Sequence, residues 1–170
     1  RQSPFLPNEI TSLLYTRLNL EARFTDFHER YRWFCRALRG TPEPGVLLDV
    51  GCSEGRQAEV YLGQSWKAVG VETCPEAAER ARAKGIEVLE GPIEEVDLRE
   101  ESFDLILLFH LVEHIKEPRD FLQQMTVYLR PNGFLYLEVP NLHRPCGDLT
   151  NFFPSFHHYV FGPDHIERML

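Results

Sequence analysis

The chain has 170 residues, 43% of them hydrophobic and 26% charged, enough for one compact domain with a sizeable core. That balance excludes disorder, collagen-like repetition and a short disulfide scaffold, and no apolar run approaches the roughly 18 to 20 residues of a membrane span. The formal charge of −8 is uneven: residues 1–40 carry seven arginines against four acids, while the acidic remainder disfavours a nucleic-acid partner.

The opening RQSPFLPNEI lacks the apolar stretch of a secretory signal. Cys35, Cys52, Cys74 and Cys146 are widely spaced, with no C-x-x-C pair. Reduced thiols in a cytoplasmic protein are therefore expected, and no metal site. Leu13, Leu14 and Leu18, followed by Phe24, Phe27, Tyr31, Phe34, Cys35 and Leu38, recur at spacings of three and four, which predicts helix. Gly40 stops that pattern, and Pro42 and Pro44 mark a turn. The expected organisation is an N-terminal helical extension over 1–41 and a core over 42–170.

The core alternates. VLLDV at 46–50, KAVGVE at 67–72 and IEVLE at 86–90 read as strands, separated by helices over 56–62 and 75–84. FDLILLF at 103–109 is almost continuously apolar, as expected of the central strand of a parallel sheet buried on both faces. Pro118 opens a helix reaching Leu129, PNG at 131–133 ends it, and FLYLEV at 134–139 is the fifth strand. Five strands joined by crossovers predict a doubly wound, mainly parallel α/β sheet.

Within DVGCSEG (49–55), a buried strand passes through two glycines into a helix, so backbone can approach a ligand near the helix N-terminus. The four-residue spacing of Gly51 and Gly55 lacks the G-x-G-x-x-G fingerprint of a nicotinamide oxidoreductase. Glu72, at the end of the second strand, can accept two hydrogen bonds from the vicinal hydroxyls of a ribose, or can be a solvated strand end.

VLLDVGCSEG, VGVETCPEAAERARAKG, the apolar strand with HLVEHIKEP, and LRPNGFLYLEVPN together resemble the class I S-adenosylmethionine-dependent methyltransferases, over roughly residues 45–141. The resemblance implies a Rossmann-like methyltransferase fold and a methyl transfer from S-adenosylmethionine, leaving S-adenosylhomocysteine, to a small-molecule acceptor. The alternative is a catalytically silent binding or scaffolding subunit of the same fold. It also implies that Asp49, Gly51, Cys52 and Gly55 surround the methionine and ribose portions of the cofactor. Glu72 and Thr73 would meet the ribose, and Ile93, Phe109 and His110 would line the rest of the site. Ser53 replaces a common second glycine. Gly91 and Pro92 stand where the family often has Gly-Asp, removing a contact to the adenine amino group.

Three histidines are candidate bases: His110, directly after the central strand, and His157 and His158 in an aromatic tail with Phe152, Phe153, Phe156, Tyr159 and Phe161. That tail either covers a planar acceptor or packs beneath its own helix, which is expected to begin near Pro163. The carboxylate of the methionine portion is approached by Tyr31 or Arg32, or those two residues are simply packed and solvated. The family's sheet continues with two further strands, so a C-terminal segment beyond Leu170, the tail or a second copy in a homodimer is expected to cover the edge of strand 134–139. The helical region 9–39 is the other candidate cover.

Overall fold

The computed structural model describes residues 12–15, 26–140 and 157–169. The elements run β1 (Ser12–Tyr15), α1 (Phe27–Ala37), β2 (Val46–Val50), α2 (Arg56–Leu62), β3 (Lys67–Glu72), α3 (Pro75–Arg82), β4 (Glu87–Glu90), β5 (Phe103–Phe109), α4 (Pro118–Tyr128), β6 (Leu129–Glu138) and α5 (Pro163–Met169). The six strands form one sheet in the order β1-β6-β5-β2-β3-β4, every pairing parallel. From β2 the chain crosses first to β3 on one side and later to β5 on the other. The carboxyl end of β2 therefore faces the crevice where such sheets bind ligands.

Apolar side chains on both faces of β5 explain its central place. Ile106 and Leu108 pack with Phe121, Leu122 and Met125 of α4. Leu105 and Leu107 turn to the opposite layer, where Phe34 of α1, Tyr61 of α2 and Ala78 of α3 cover them. Phe34 is fully buried, and its ring meets those of Tyr61, Phe134 and Tyr136 at centroid distances of 5.9 to 6.1 Å. Helix α1 begins where the Asp26 side chain accepts the Glu29 N–H at 2.9 Å.

Two sequence expectations are corrected and one open alternative is decided. Residues 12–15 form a strand, not part of a helix; a short apolar run carries no period that separates the two, and the open ladder of β6 decides between them. The same strand pairs with β6 from Ser12 opposite Phe134 to Tyr15 opposite Leu137, so of the covers considered for that edge the described residues show the region 9–39, through a strand and not a helix. Finally, β6 starts at Leu129 rather than 134, running through Asn132 at φ +65 with an irregular register opposite Phe103 and Leu105. Leu18, Phe24, Cys146, Phe152, Phe153 and Phe156 lie outside the described residues. Among the described residues no helix is long and apolar enough to cross a membrane.

Candidate functional site

The glycine turn follows β2 directly, and its backbone shows why small residues stand there. Gly51 has φ +73 and donates its N–H to the Val71 carbonyl at 2.8 Å; Cys52 donates to the same oxygen at 3.1 Å. Ser53 also has a positive φ, +49, so it occupies a conformation that glycine adopts without cost. Gly55, at φ +72, caps α2, and a Cβ there would collide with Ile86 and approach Ala81. The demand for glycine at 55 is thus one of packing between α2 and α3. At 51 the nearest atom to a Cβ is Leu111 Cδ1 at 3.6 Å, leaving backbone conformation as the constraint.

Glu72 is no idle strand end. Its carboxylate accepts N–H groups from Ser53 at 2.8 Å, Thr73 at 2.9 Å and Cys74 at 2.9 Å, tying the glycine turn to the start of α3. Cys52 is 5% exposed, with its thiol against Gly70, and burial pushes that thiol up to about 12. Its side chain packs under the turn. Ile93 is buried in the same core cluster as Val71 of β3.

A cavity of about 420 Å³ opens over this turn, within the usual range for small-molecule sites. The turn from Gly51 to Glu54 forms its floor with Asp49, and Phe27, Arg30, Phe109 and His110 stand on the walls. Asp49 is 4% exposed, and burial raises its carboxyl to about 7 despite the Arg30 charge and a hydrogen bond from the Ala58 backbone. His110 has φ +53. Burial alone would lower its pKa, but the carboxylates of Glu113 and Glu138 outweigh that and raise it to about 9. The ring is therefore an imidazolium at neutral pH, with Nε2 2.8 Å from Glu138 Oε1 and Nδ1 3.5 Å from Glu113 Oε1.

Arg30 and Glu138 were not singled out in the sequence. Arg30 donates from Nε and Nη2 to the two Glu138 oxygens at 2.8 and 2.6 Å, a bidentate pair that no local pattern announces because the partners are far apart in the chain. Of the two neighbours considered for the methionine carboxylate, Tyr31 packs edge-on against Tyr61 at 5.0 Å, and Arg32 is an exposed partner of Glu29 at 2.7 Å. Their neighbour Arg30 lines the cavity, as do Arg56 and the His110 ring.

His157 and His158 approach from another side. The ring of His157 meets that of His114 at 4.8 Å, and the backbone N–H of His158 donates to the Glu113 carbonyl at 2.8 Å. His158 lines a separate cavity with His114, Lys116 and Glu94. Glu113, His114 and His157 each bring a ligand atom within 4.8 Å of the others, the one such trio among the described residues. The structure thus unites Asp49, Gly51, Cys52, Phe109 and His110 around one cavity and places the tail histidines beyond the turn that follows β5.

A family model described as "Methyltransferase domain" matches residues 48–137. The chain is 27% identical, over 97 residues, to a probable S-adenosylmethionine-dependent methyltransferase of Mycolicibacterium smegmatis, a match covering 56% of this chain and 38% of that protein. It is 29% identical, over 132 residues, to a ubiquinone biosynthesis O-methyltransferase of a Bradyrhizobium species, covering 73% and 47% respectively. The chain thus spans less than half the length of these curated relatives. Among solved structures, the plantazolicin methyltransferase BpumL, in complex with a triazolic desmethylPZN analogue and SAH, matches with a TM-score of 0.71 and 20% identity over 87% of this chain and 64% of that one. A SAM-dependent methyltransferase from Archaeoglobus fulgidus matches with a TM-score of 0.69 and 17% identity over 84% and 66%. At those identities the solved structures speak for the fold.

Proposed function

Because the chain belongs to the methyltransferase-domain family, we propose that it binds S-adenosylmethionine over the glycine turn and directs transfer of the methyl group to a small-molecule acceptor. The observation that carries this reading is the cavity at the carboxyl end of β2, where strained turn backbone, buried Asp49 and the Arg30 cation converge. Within the cavity Arg30 is a cation for the methionine carboxylate; Glu72, an acceptor for ribose hydroxyls, and Ile93, an apolar side chain for the adenine, stand outside its lining and would meet the far part of the cofactor. The name of the Bradyrhizobium relative supports a small-molecule acceptor.

When bound, the cofactor supplies a methyl group already activated by its sulfonium, so the chain has to align the acceptor and exclude water. Phe27 and Phe109 supply apolar walls for that purpose. His110 holds its proton up to about pH 9 and so acts in this reading as a cation, not a base. An acceptor that must lose a proton does so in this reading by its own ionisation, since His157 and His158 do not line this cavity.

Calorimetric titration of the chain with S-adenosylhomocysteine and, separately, with NADH tests the reading. Saturable binding of S-adenosylhomocysteine alone is expected; binding of NADH alone overturns it. The Gly91–Pro92 pair favours a second reading, a binding subunit without catalysis. Binding of neither compound would favour that one.

A further inference from the structure

Three elements meet on one buried carboxylate at the end of β6. Glu138, its side chain 1% exposed, accepts two hydrogen bonds from Arg30 of α1 and a third contact at 2.8 Å from His110 Nε2. Its backbone carbonyl also accepts the His110 N–H at 2.8 Å, so strand pairing and side-chain chemistry hold the same residue. The Arg30 guanidinium lies 4.9 Å from the centre of the Phe109 ring and 5.6 Å from that of Phe27. Arg30, His110, Phe27 and Phe109 all line the cavity over the glycine turn, and Glu138 does not.

Docking of α1 does not explain this arrangement. Phe34 already anchors the helix through three aromatic contacts in the core. A carboxylate and two cations out of water are costly to bury, and apolar residues of similar volume commonly serve stability as well or better. What apolar residues cannot do is fix the direction of a guanidinium and keep a proton on a histidine. His110 is moreover held at φ +53, a conformation uncommon for a residue with a side chain.

We propose that Glu138 is a positioning residue for the cofactor: from outside the cavity it aims the Arg30 guanidinium and the His110 ring at the bound ligand and keeps α1 as a wall of the site. The proposal rests on the methyl-transfer reading above. Glu138 touches neither cofactor nor acceptor; its effect passes through the two cations.

The test compares the full chain with Glu138→Gln, which keeps the shape and an acceptor oxygen but removes the charge, and with Arg30→Lys, which replaces a two-point contact by a single donor group. Three quantities are read: urea midpoint, the dissociation constant for S-adenosylhomocysteine by calorimetry, and the titration of the His110 ring by nuclear magnetic resonance. Folded Glu138→Gln should bind the ligand about tenfold more weakly or worse, and its His110 should lose the proton well below the pH of about 9 at which the wild-type ring does. The change at His110 confirms that the charge has been removed, whatever the role of Glu138, and the affinity decides: a merely structural role would shift the urea midpoint and leave the dissociation constant in place, and that result overturns the proposal. If Glu138→Gln fails to fold, Arg30→Lys decides, since unchanged affinity in that variant also overturns it. A wild-type chain that does not bind S-adenosylhomocysteine instead marks failure of the methyl-transfer reading itself.

Discussion

Replacing Asp49 by Asn measures what a carboxyl group costs at the floor of the cavity. The side chain is 4% exposed, and burial lifts its pKa from an ordinary 3.8 to about 7. The folded state thus holds this proton more tightly than the unfolded chain does. The sign follows: the contribution of Asp49 to stability is fully present below pH 3.8, is lost as pH rises toward about 7, and is gone above it. Integrating the linkage relation between those two values gives a loss of about 2 to 3 kcal/mol between pH 5 and pH 8. Asn carries no such loss, having no proton to release. Urea unfolding of ligand-free wild type and Asp49→Asn at both pH values should show the variant gaining that amount relative to wild type on going from pH 5 to 8. Taking the difference of differences cancels groups that titrate alike in both proteins. A stability gap that is the same at the two pH values would refute the reasoning. A gain at pH 8 would identify Asp49 as a residue retained at the expense of stability, as binding groups often are.

Glu72→Ala removes the acceptor for three loop amides and the proposed ribose contact, and should weaken S-adenosylhomocysteine binding by about 1 to 3 kcal/mol in a folded protein; equal calorimetric affinities would sink the assignment. Gly55→Val and Gly51→Val should separate packing from binding. The first meets Ile86 and Ala81 and should cost about 2 to 4 kcal/mol in urea unfolding, while the second has room behind it and should damage ligand affinity more than its neighbour does. Phe34→Ala should lower stability by about 3 to 5 kcal/mol, since the ring is fully buried among three others; a loss below about 1 kcal/mol would mean that α1 is not part of the core.

The parallel sheet was legible because its signals are local. FDLILLF has an apolar residue at nearly every position, so a strand covered on both faces is the economical reading, and Leu105 to Leu108 are indeed completely buried. The glycine turn was legible for the same reason, since strand, turn and helix fall within ten residues of one another. Arg30 and Glu138 were not, because an ion pair between a helix and the far end of the sheet leaves no mark on the sequence around either partner. Leu13 and Leu14 misled through brevity. Their spacing to Leu18 fits a helix, and only the unpaired ladder of β6 makes a strand the better outcome. His110 was found by position, but its protonation state depends on two carboxylates that the fold brings to it.

The parallel pairing of β1 with β6 has a consequence for the order in which the molecule comes together. Ser12 lies opposite Phe134, so among the described elements β1 must wait for β6, with four helices and four other strands between them. During synthesis from the amino end, β2 and β3 can associate as soon as both have emerged, whereas residues 12–15 have no ladder to join until residues 134–137 exist. The closure spans a long loop, whose entropy must be met by only four paired positions. The β1–β6 seam thus closes after the β2–β3 pairing, and SLLY stays without its β6 ladder while the residues between them are made.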